Sequence, residues 1–577
     1  MSVWFALLAG VLVGLLIVAS VLSARGRAGI TLAAGLTAIL VAAEQQTPHF
    51  DGYDTDFWTY ALIAERVAEG QPMLDRDPFL LQPPPTPHLS LPWLLVGYVG
   101  RVTGLSAHAA GRGLSGLSAF LLTLAAWWVA TRLFETARER WIAVLLFWLG
   151  LHPAWATLSL GRTFALAFVL FAVAESLTPV WSLRRATLAA VWVALAFYTH
   201  LFGGVLALLG VGCGALARVD RVRERIQAVT WTAALSALLA LPCLLYALGT
   251  LGLERSNAHL HRPGQAVLLG LRYLEPLEIP RLAPLPLVVL AALGLLERAP
   301  TEGRRVARRL TAIGAGVWVV ALFTPVYDLA VSLVGGWMPE RLVHLAFLWI
   351  AGTLALAARD DAPAGQWPRR LLASAAVVAL GFQAGLQVGR DLEDRPLGAL
   401  LRWRADPSPP RRRGGEARLF YALTDDARAE ARSLRPLMRD RSFVSDPLLA
   451  YGVTASTLGR PLAVPAGHAS PFGDFPTRLA RVRGAFHANS ALCWSQLLAA
   501  YPDLELLLTP APEAEVENRV WGRRVPPEAV RRVFDDKRAL RPLFRGRFFV
   551  LDAIGPPLGV SSRPATTGEA DGCLLEP

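Results

Sequence analysis

The chain has 577 residues, 54% of them hydrophobic, with a mean hydropathy of +0.40; it is too apolar for an ordinary soluble protein and fits a polytopic membrane protein. The formal charge of +12 rests on arginine, because Lys537 is the single lysine. The arginines interrupt apolar blocks and line no aromatic-interleaved groove, so the charge reads as GC-rich coding plus membrane topology, and nucleic-acid binding is set aside.

Apolar runs of spanning length are expected at 3–22, 28–43, 111–131, 140–158, 163–181, 186–200, 201–217, 226–250, 282–296, 310–331, 342–358 and 371–389, about twelve transmembrane helices. The first run lacks a basic segment before it and reads as a helix, not a cleaved leader. The stretch 89–106 is ambiguous by itself, and the arginines decide it. If it does not cross, one side of the membrane collects Arg25, Arg27, Arg132, Arg138, Arg140, Arg184, Arg185, Arg218, Arg221, Arg223 and Arg225. The same side collects Arg298, Arg304, Arg305, Arg308, Arg309, Arg359, Arg369 and Arg370. The positive-inside rule makes that side cytoplasmic. The stretch 89–106 then lies at the interface or re-enters, and the loop 44–106, the loop 251–281 and everything after about 390 face outward.

The outward loop carries three acids, Asp51, Asp54 and Asp56, directly before a helical pattern. A carboxylate at the mouth of a membrane domain has to be kept wet or paired, which makes it a functional candidate. Helix capping is the simpler explanation, since acids favour helix starts. The spacing of Asp54 and Asp56 would let the pair share a divalent metal, although no nucleotide fold accompanies them and no cofactor is called for with certainty. No His/Cys spacing for a metal is found. The loop 251–281 holds Arg255, Arg262, His259 and His261. Solvation explains that composition; a gating role over a donor explains its length. The region from about 390 alternates helix-like stretches such as DDARAEARSLRPLM with short apolar runs, SFVSD, PLAVP, LELLLTP and GRFFVLDAI, as in a small α/β domain. Two units are therefore expected: a transmembrane unit over 1–389 and an external, periplasmic α/β domain over 390–577. Cys213 and Cys243 fall in apolar segments, whereas Cys493 and Cys573 could pair in an oxidising compartment.

Asp56 with Tyr60, Ala61 and Gly70, then Arg162 with Phe164, then His200, then Arg341, taken in this order, resemble the motifs of the GT-C glycosyltransferases, in particular bacterial relatives of protein O-mannosyltransferases and of the lipid A aminoarabinose transferase. The acid, Tyr-Ala and closing Gly of that family's first loop are matched by Asp56, Tyr60, Ala61 and Gly70, followed by DRDPF and the prolines from Pro83 to Pro87. An Arg-x-aromatic opening a helix is matched by Arg162 and Phe164, a Thr-His by His200, and an Arg at the outer end of a late helix by Arg341. Two places depart: the second acid that often follows the loop Asp is Phe57 here, and the Lys before the prolines is Gln82. The resemblance implies an inverting enzyme of the bacterial cytoplasmic membrane that uses a polyprenyl-phosphate-linked sugar at the outer face. Its acceptor would be a glycan, a lipid or a protein. It makes Asp56 the catalytic base; Asp54 would orient it, bind a sugar hydroxyl or share a metal. Tyr60, Arg162, His200, Arg341, Arg255 and Arg262 would contact the substrates. A lipid-linked glycan transporter or envelope-assembly scaffold is the competing class, but it should place polar or broken helices near the bilayer midplane, and here the acids cluster in a loop.

Overall fold

The computed structural model describes residues 57–70, 91–150, 160–179, 182–218, 222–250, 285–323, 339–361, 367–394, 425–464, 475–488, 491–511, 519–520, 523–524 and 538–557, and parts of 30–38. Helices dominate to residue 394. In chain order they are Phe57–Ala68, Leu91–Thr103, Ala107–Leu133, Ala137–Gly150, Leu160–Ser176, Leu183–Thr199, Leu201–Ala217, Val222–Leu239 and Leu241–Thr250. Leu285–Leu296, Glu302–Phe323, the 3-10 helix Pro339–Ala346, Leu348–Asp361 and Trp367–Asp394 complete this part.

Helix 107–133 is the spine. Ala119, Leu122, Ala125, Ala126, Val129 and Ala130 are fully buried, and helix 160–176 packs along it. Small residues let other helices approach closely, as in membrane bundles. A Cβ on Gly294 would stand 1.8 Å from the Ala351 carbonyl oxygen, and one on Gly314 would stand 1.8 Å from that of Leu345. Those two crossings therefore need glycine.

The arginine-bearing turns gather at one end of the bundle. Arg304 bonds Glu139 at 2.7 Å, Arg218 bonds Glu302 at 3.0 Å and Arg185 bonds Glu175 at 2.8 Å. Arg225 donates to the carbonyls of Ser176 and Thr178, capping helix 160–176. Thr136 and Glu139 form a reciprocal cap at the start of helix 137–150. These contacts tie the turns near 135, 180, 220 and 300 together, the grouping expected from the arginine pattern.

Several expected spans change on inspection. Among the described residues one helical stretch, Ala109–Leu133, is long and apolar enough by itself to cross a membrane; Thr163–Ser176, Leu201–Ala217 and Leu285–Leu296 are apolar but shorter. The count of about twelve spans is not confirmed. The run 226–250 breaks at Ala240. The run 310–331 is helical from Glu302 and described only to Phe323. The run 342–358 is not one helix: a 3-10 turn ends at Ala346, Phe347 turns left-handed at φ 46°, and an α-helix starts at Leu348. The segment 89–106 contains the 13-residue helix Leu91–Thr103, about 20 Å long against a hydrocarbon core of roughly 30 Å.

The C-terminal part has helices Asp425–Ser433, Arg435–Met438, Pro447–Thr457, Phe475–Ala488 and Ala491–Ala500 around a sheet. The strands are β1 (Ser442–Val444), β2 (Arg460–Pro461), β3 (Leu506–Pro510), β4 (Arg519–Val520), β5 (Arg523–Arg524), β6 (Arg538–Arg545) and β7 (Phe549–Pro557). Five of them form one sheet in the order β2-β1-β3-β7-β6. β1 is parallel to β2 and β3; β7 runs antiparallel to β3 and to β6. Alternation sorts the faces: Phe443, Leu506 and Leu508 enter one core, Val444 and Leu507 the other. That second core continues through Tyr451, Ala455 and Leu458 to Ala61, Leu62 and Ala64, so the C-terminal part and the helical part share one apolar interior. β6 escaped the sequence reading because RALRPLFR is basic and contains proline. It is an edge strand, where both are tolerated. Cys493 is disulfide-bonded, whereas Cys213 and Cys243 are free and buried; Cys573 lies outside the described residues.

Candidate functional site

Helix 57–68 begins one residue after Asp56 and closes at Gly70, whose φ of 91° suits glycine at a helix C-terminus. The resemblance makes it an amphipathic loop helix, yet every residue from Ala61 to Val67 is buried. Its apolar side packs on helices 91–103 and 107–133, with Gly97 against Val67 and the Ala64 carbonyl. Its charged side is covered by helix 447–457 and the segment before β1.

That cover is built from ion pairs. Glu65 accepts the Ala107 backbone N–H through Oε1 at 2.7 Å, holding the start of helix 107–133, and accepts Arg435 through Oε2 at 2.9 Å. Arg435 also bonds Glu69 at 2.8 Å and donates from Nε to the Ser456 carbonyl. Arg439 pairs with Glu69 as well. Arg66, 4% exposed, donates to Asp440 Oδ1 at 2.8 Å and to the Leu458 carbonyl at 3.1 Å. Burial pushes the Asp440 carboxyl up, but the Arg66 hydrogen bond and the charges of Arg66, Arg460 and Arg439 outweigh it and hold it below the usual carboxylate range. The pairing is therefore complete above the ordinary carboxylate pKa of about 3.9 and is lost as pH falls through the lower folded value.

Of the sequence-derived candidates, Tyr60 alone among the described residues stands on this helix. Asp54, Asp56, Arg255 and Arg262 lie outside the described residues. Tyr60 stands on helix 57–68, one turn after the Asp56 position. Arg162 stands in the first turn of helix 160–176, where Gly161 approaches the Thr199 carbonyl. His200 is the hinge between helices 183–199 and 201–217: its N–H donates to the Ala196 carbonyl at 2.9 Å, and its own carbonyl accepts from Gly204. The Arg162 and His200 positions thus meet at one end of the bundle, opposite the arginine-bearing turns. Arg341 sits at the start of the 3-10 helix, which packs along helices 302–323 and 201–217. Because the chain runs from there to the Asp361 turn, Arg341 occupies the end away from the arginine-bearing turns. The late helix expected to carry it is instead the 3-10 segment, broken off at Phe347.

Glu65, Arg66 and Glu69 were missed as a group. Their signal was three charges at the end of an otherwise apolar helix; their charged partners lie more than 360 residues away and leave no local trace. Among the described residues no three His, Cys, Asp or Glu side chains gather as a metal group.

No family model matches the sequence, and no curated protein does. Solved structures do match. The Archaeoglobus fulgidus oligosaccharyltransferase in its apo form superposes with a TM-score of 0.51 at 13% identity, over 85% of this chain and 70% of that one. The same organism's oligosaccharyltransferase AglB, in complex with an inhibitory peptide and a dolichol-phosphate, gives 0.50 at 12% identity, over 90% and 74%. Arabinofuranosyltransferase AftD from Mycobacteria gives 0.51 at 18% identity, over 91% of this chain; the chain spans only 40% of AftD's length. These neighbours belong to the GT-C superfamily of membrane glycosyltransferases, and the chain shares their fold.

Proposed function

We propose that this chain, which has the GT-C fold, is an inverting glycosyltransferase of the bacterial cytoplasmic membrane that moves a sugar from a polyprenyl-phosphate donor to an acceptor at the outer face. The observation that carries the reading is that several elements share one end of the bundle. The first turn bearing Arg162, the His200 hinge and the start of the Arg341 segment stand at the end opposite the arginine-bearing turns. Helix 57–68, which starts beside Asp56, is held at the N-terminus of helix 107–133 at that same end. The dolichol-phosphate bound by the A. fulgidus enzyme of like fold supports a lipid-phosphate donor.

The chemistry follows from the residue types. Asp56 takes the proton from the acceptor hydroxyl as that oxygen attacks the anomeric carbon. The bond from that carbon to the phosphate oxygen breaks, the lipid phosphate leaves with the electron pair, and attack from the opposite side inverts the anomeric centre. Arginine holds the departing phosphate without titrating, a role for Arg162 and Arg341, with Arg255 and Arg262 contributed by the loop 251–281. Asp54 orients the base, and Tyr60 and His200 border the sugar. The acceptor is a glycan, a lipid or a protein of the cell envelope.

Orientation is tested by cysteine labelling in whole cells. The external placement of the C-terminal part, supported by the disulfide at Cys493, predicts that Ser433→Cys reacts with an impermeant reagent. Pro300→Cys, in an exposed turn of the opposite end, should react only after permeabilisation. The reverse pattern would place the site in the cytoplasm and end the proposal. Phosphate contact is tested by Arg341→Ala. Loss of a charge-assisted bond worth about 1.5–3 kcal/mol should raise the donor KM by at least tenfold with little change in thermal stability. An unchanged donor KM removes Arg341 from the donor site.

A further inference from the structure

We propose that Glu65, Arg66 and Glu69 are positioning residues, a charged latch through which the C-terminal domain fixes helix 57–68 and so sets the place of Asp56. The role of Asp56 is taken from the proposed function; the latch itself is geometry.

The receptor on the C-terminal side is built for this helix. Asp440 and Leu458 both adopt left-handed backbone conformations, at φ 59° and 56°. That region is tolerated by aspartate and rare for leucine, and such outliers persist only where surrounding structure enforces them. Asp440 N–H donates to the Leu458 carbonyl at 3.0 Å, closing the two segments on each other. The same carbonyl then accepts Arg66 Nη2 while the Asp440 carboxylate accepts Nη1. One guanidinium is thus read by a carboxylate and a carbonyl held in a fixed relation, the bidentate geometry that arginine fits and lysine does not.

The second half of the receptor is Arg435. It joins Glu65 and Glu69, one helical turn apart on a single face, and anchors itself on the Ser456 carbonyl. Glu65 completes the link, because its other oxygen holds the Ala107 N–H. The loop helix is thereby tied at once to the C-terminal domain and to the spine of the bundle. None of these side chains belongs to the proposed substrate contacts. A helix fixed this way transmits its position along its length, and a catalytic group displaced by about 1 Å can lose roughly a hundredfold in rate.

The test uses the full chain in lipid nanodiscs, with Asp440→Asn and Arg435→Gln as separate variants, so that a folding failure in one leaves the other. Two readouts are taken: transfer kinetics with a polyprenyl-phosphate sugar, and hydrogen exchange of backbone amides. The latch predicts at least about tenfold faster exchange across 59–70 in both variants, with β1, β3 and β7 still protected. It also predicts kcat down by about tenfold or more with donor KM within about twofold. Arg66→Lys should restore less than half of the wild-type kcat, because one ammonium cannot satisfy both acceptors. Unchanged exchange across 59–70 overturns the latch. Faster exchange there with unchanged kcat overturns its positioning role. If the wild-type chain transfers no sugar, the proposed function fails, and the exchange result still decides whether the latch exists.

Discussion

Asp56→Asn is expected to abolish sugar transfer while leaving expression and thermal stability near wild type. Asparagine keeps the size of the side chain and still caps a helix start, and helix 57–68 begins at the next residue. What asparagine cannot do is accept the acceptor's proton, and losing a general base costs on the order of a hundred- to ten-thousand-fold in rate. The buried stretch from Ala61 to Val67 and the Glu65, Arg66 and Glu69 pairs hold the helix, which is why stability should change little. Asp54→Asn should be intermediate if that residue orients the base or shares a metal, and Asp51→Asn should be mild. Strong loss in Asp54→Asn with near-normal Asp56→Asn would transfer the role of base to Asp54. An activity insensitive to both would return the chain to the transporter or scaffold class.

The second large effect concerns stability and the opposite end of the bundle. Glu139→Ala is expected to destabilise the chain by roughly 2–3 kcal/mol, because it removes the carboxylate that takes two Arg304 N–H groups in a part-buried pair. Arg304 gives both Nε and Nη2 to Glu139 Oε1, at 2.9 and 2.7 Å, with side chains 15% and 8% exposed. The same substitution removes the Glu139 half of the cap at Thr136. Replacing both partners by apolar residues, Glu139→Leu with Arg304→Met, should recover part of the loss, since a buried pair is worth little against well-packed hydrophobic side chains while the Thr136 cap stays broken. Thermal unfolding in detergent separates the two variants. Equal melting temperatures for wild type and Glu139→Ala would show that this pair does not hold the arginine-bearing turns together.

The sequence showed the helical part where apolar runs were uninterrupted: the run 201–217 is the helix Leu201–Ala217, and 111–131 lies within Ala107–Leu133. It failed where geometry depends on distant contacts. Phe347 turns left-handed inside an apolar run because it is buried in the shared core, with its carbonyl taking the Ile350 N–H; nothing local announces that break. β6 was hidden by the chemistry that protects an edge strand. At the site, the motif order placed the Arg162 and His200 positions at one end, since each follows from the direction of a recognisable helix. The latch could not be read. Arg66 and Asp440 are 374 residues apart, and only the folded chain brings the 65–69 charges against the 435–440 charges.

The most direct measurement is mass spectrometry of cell-envelope glycans and of the polyprenyl-phosphate sugar pool in cells lacking the gene, complemented with wild type or with Asp56→Asn. The proposed function predicts that one envelope glycan, lipid or protein loses a single sugar and that a polyprenyl-phosphate sugar accumulates. Wild type should reverse both changes and Asp56→Asn neither. An unchanged set of envelope glycans, or full complementation by Asp56→Asn, would contradict it.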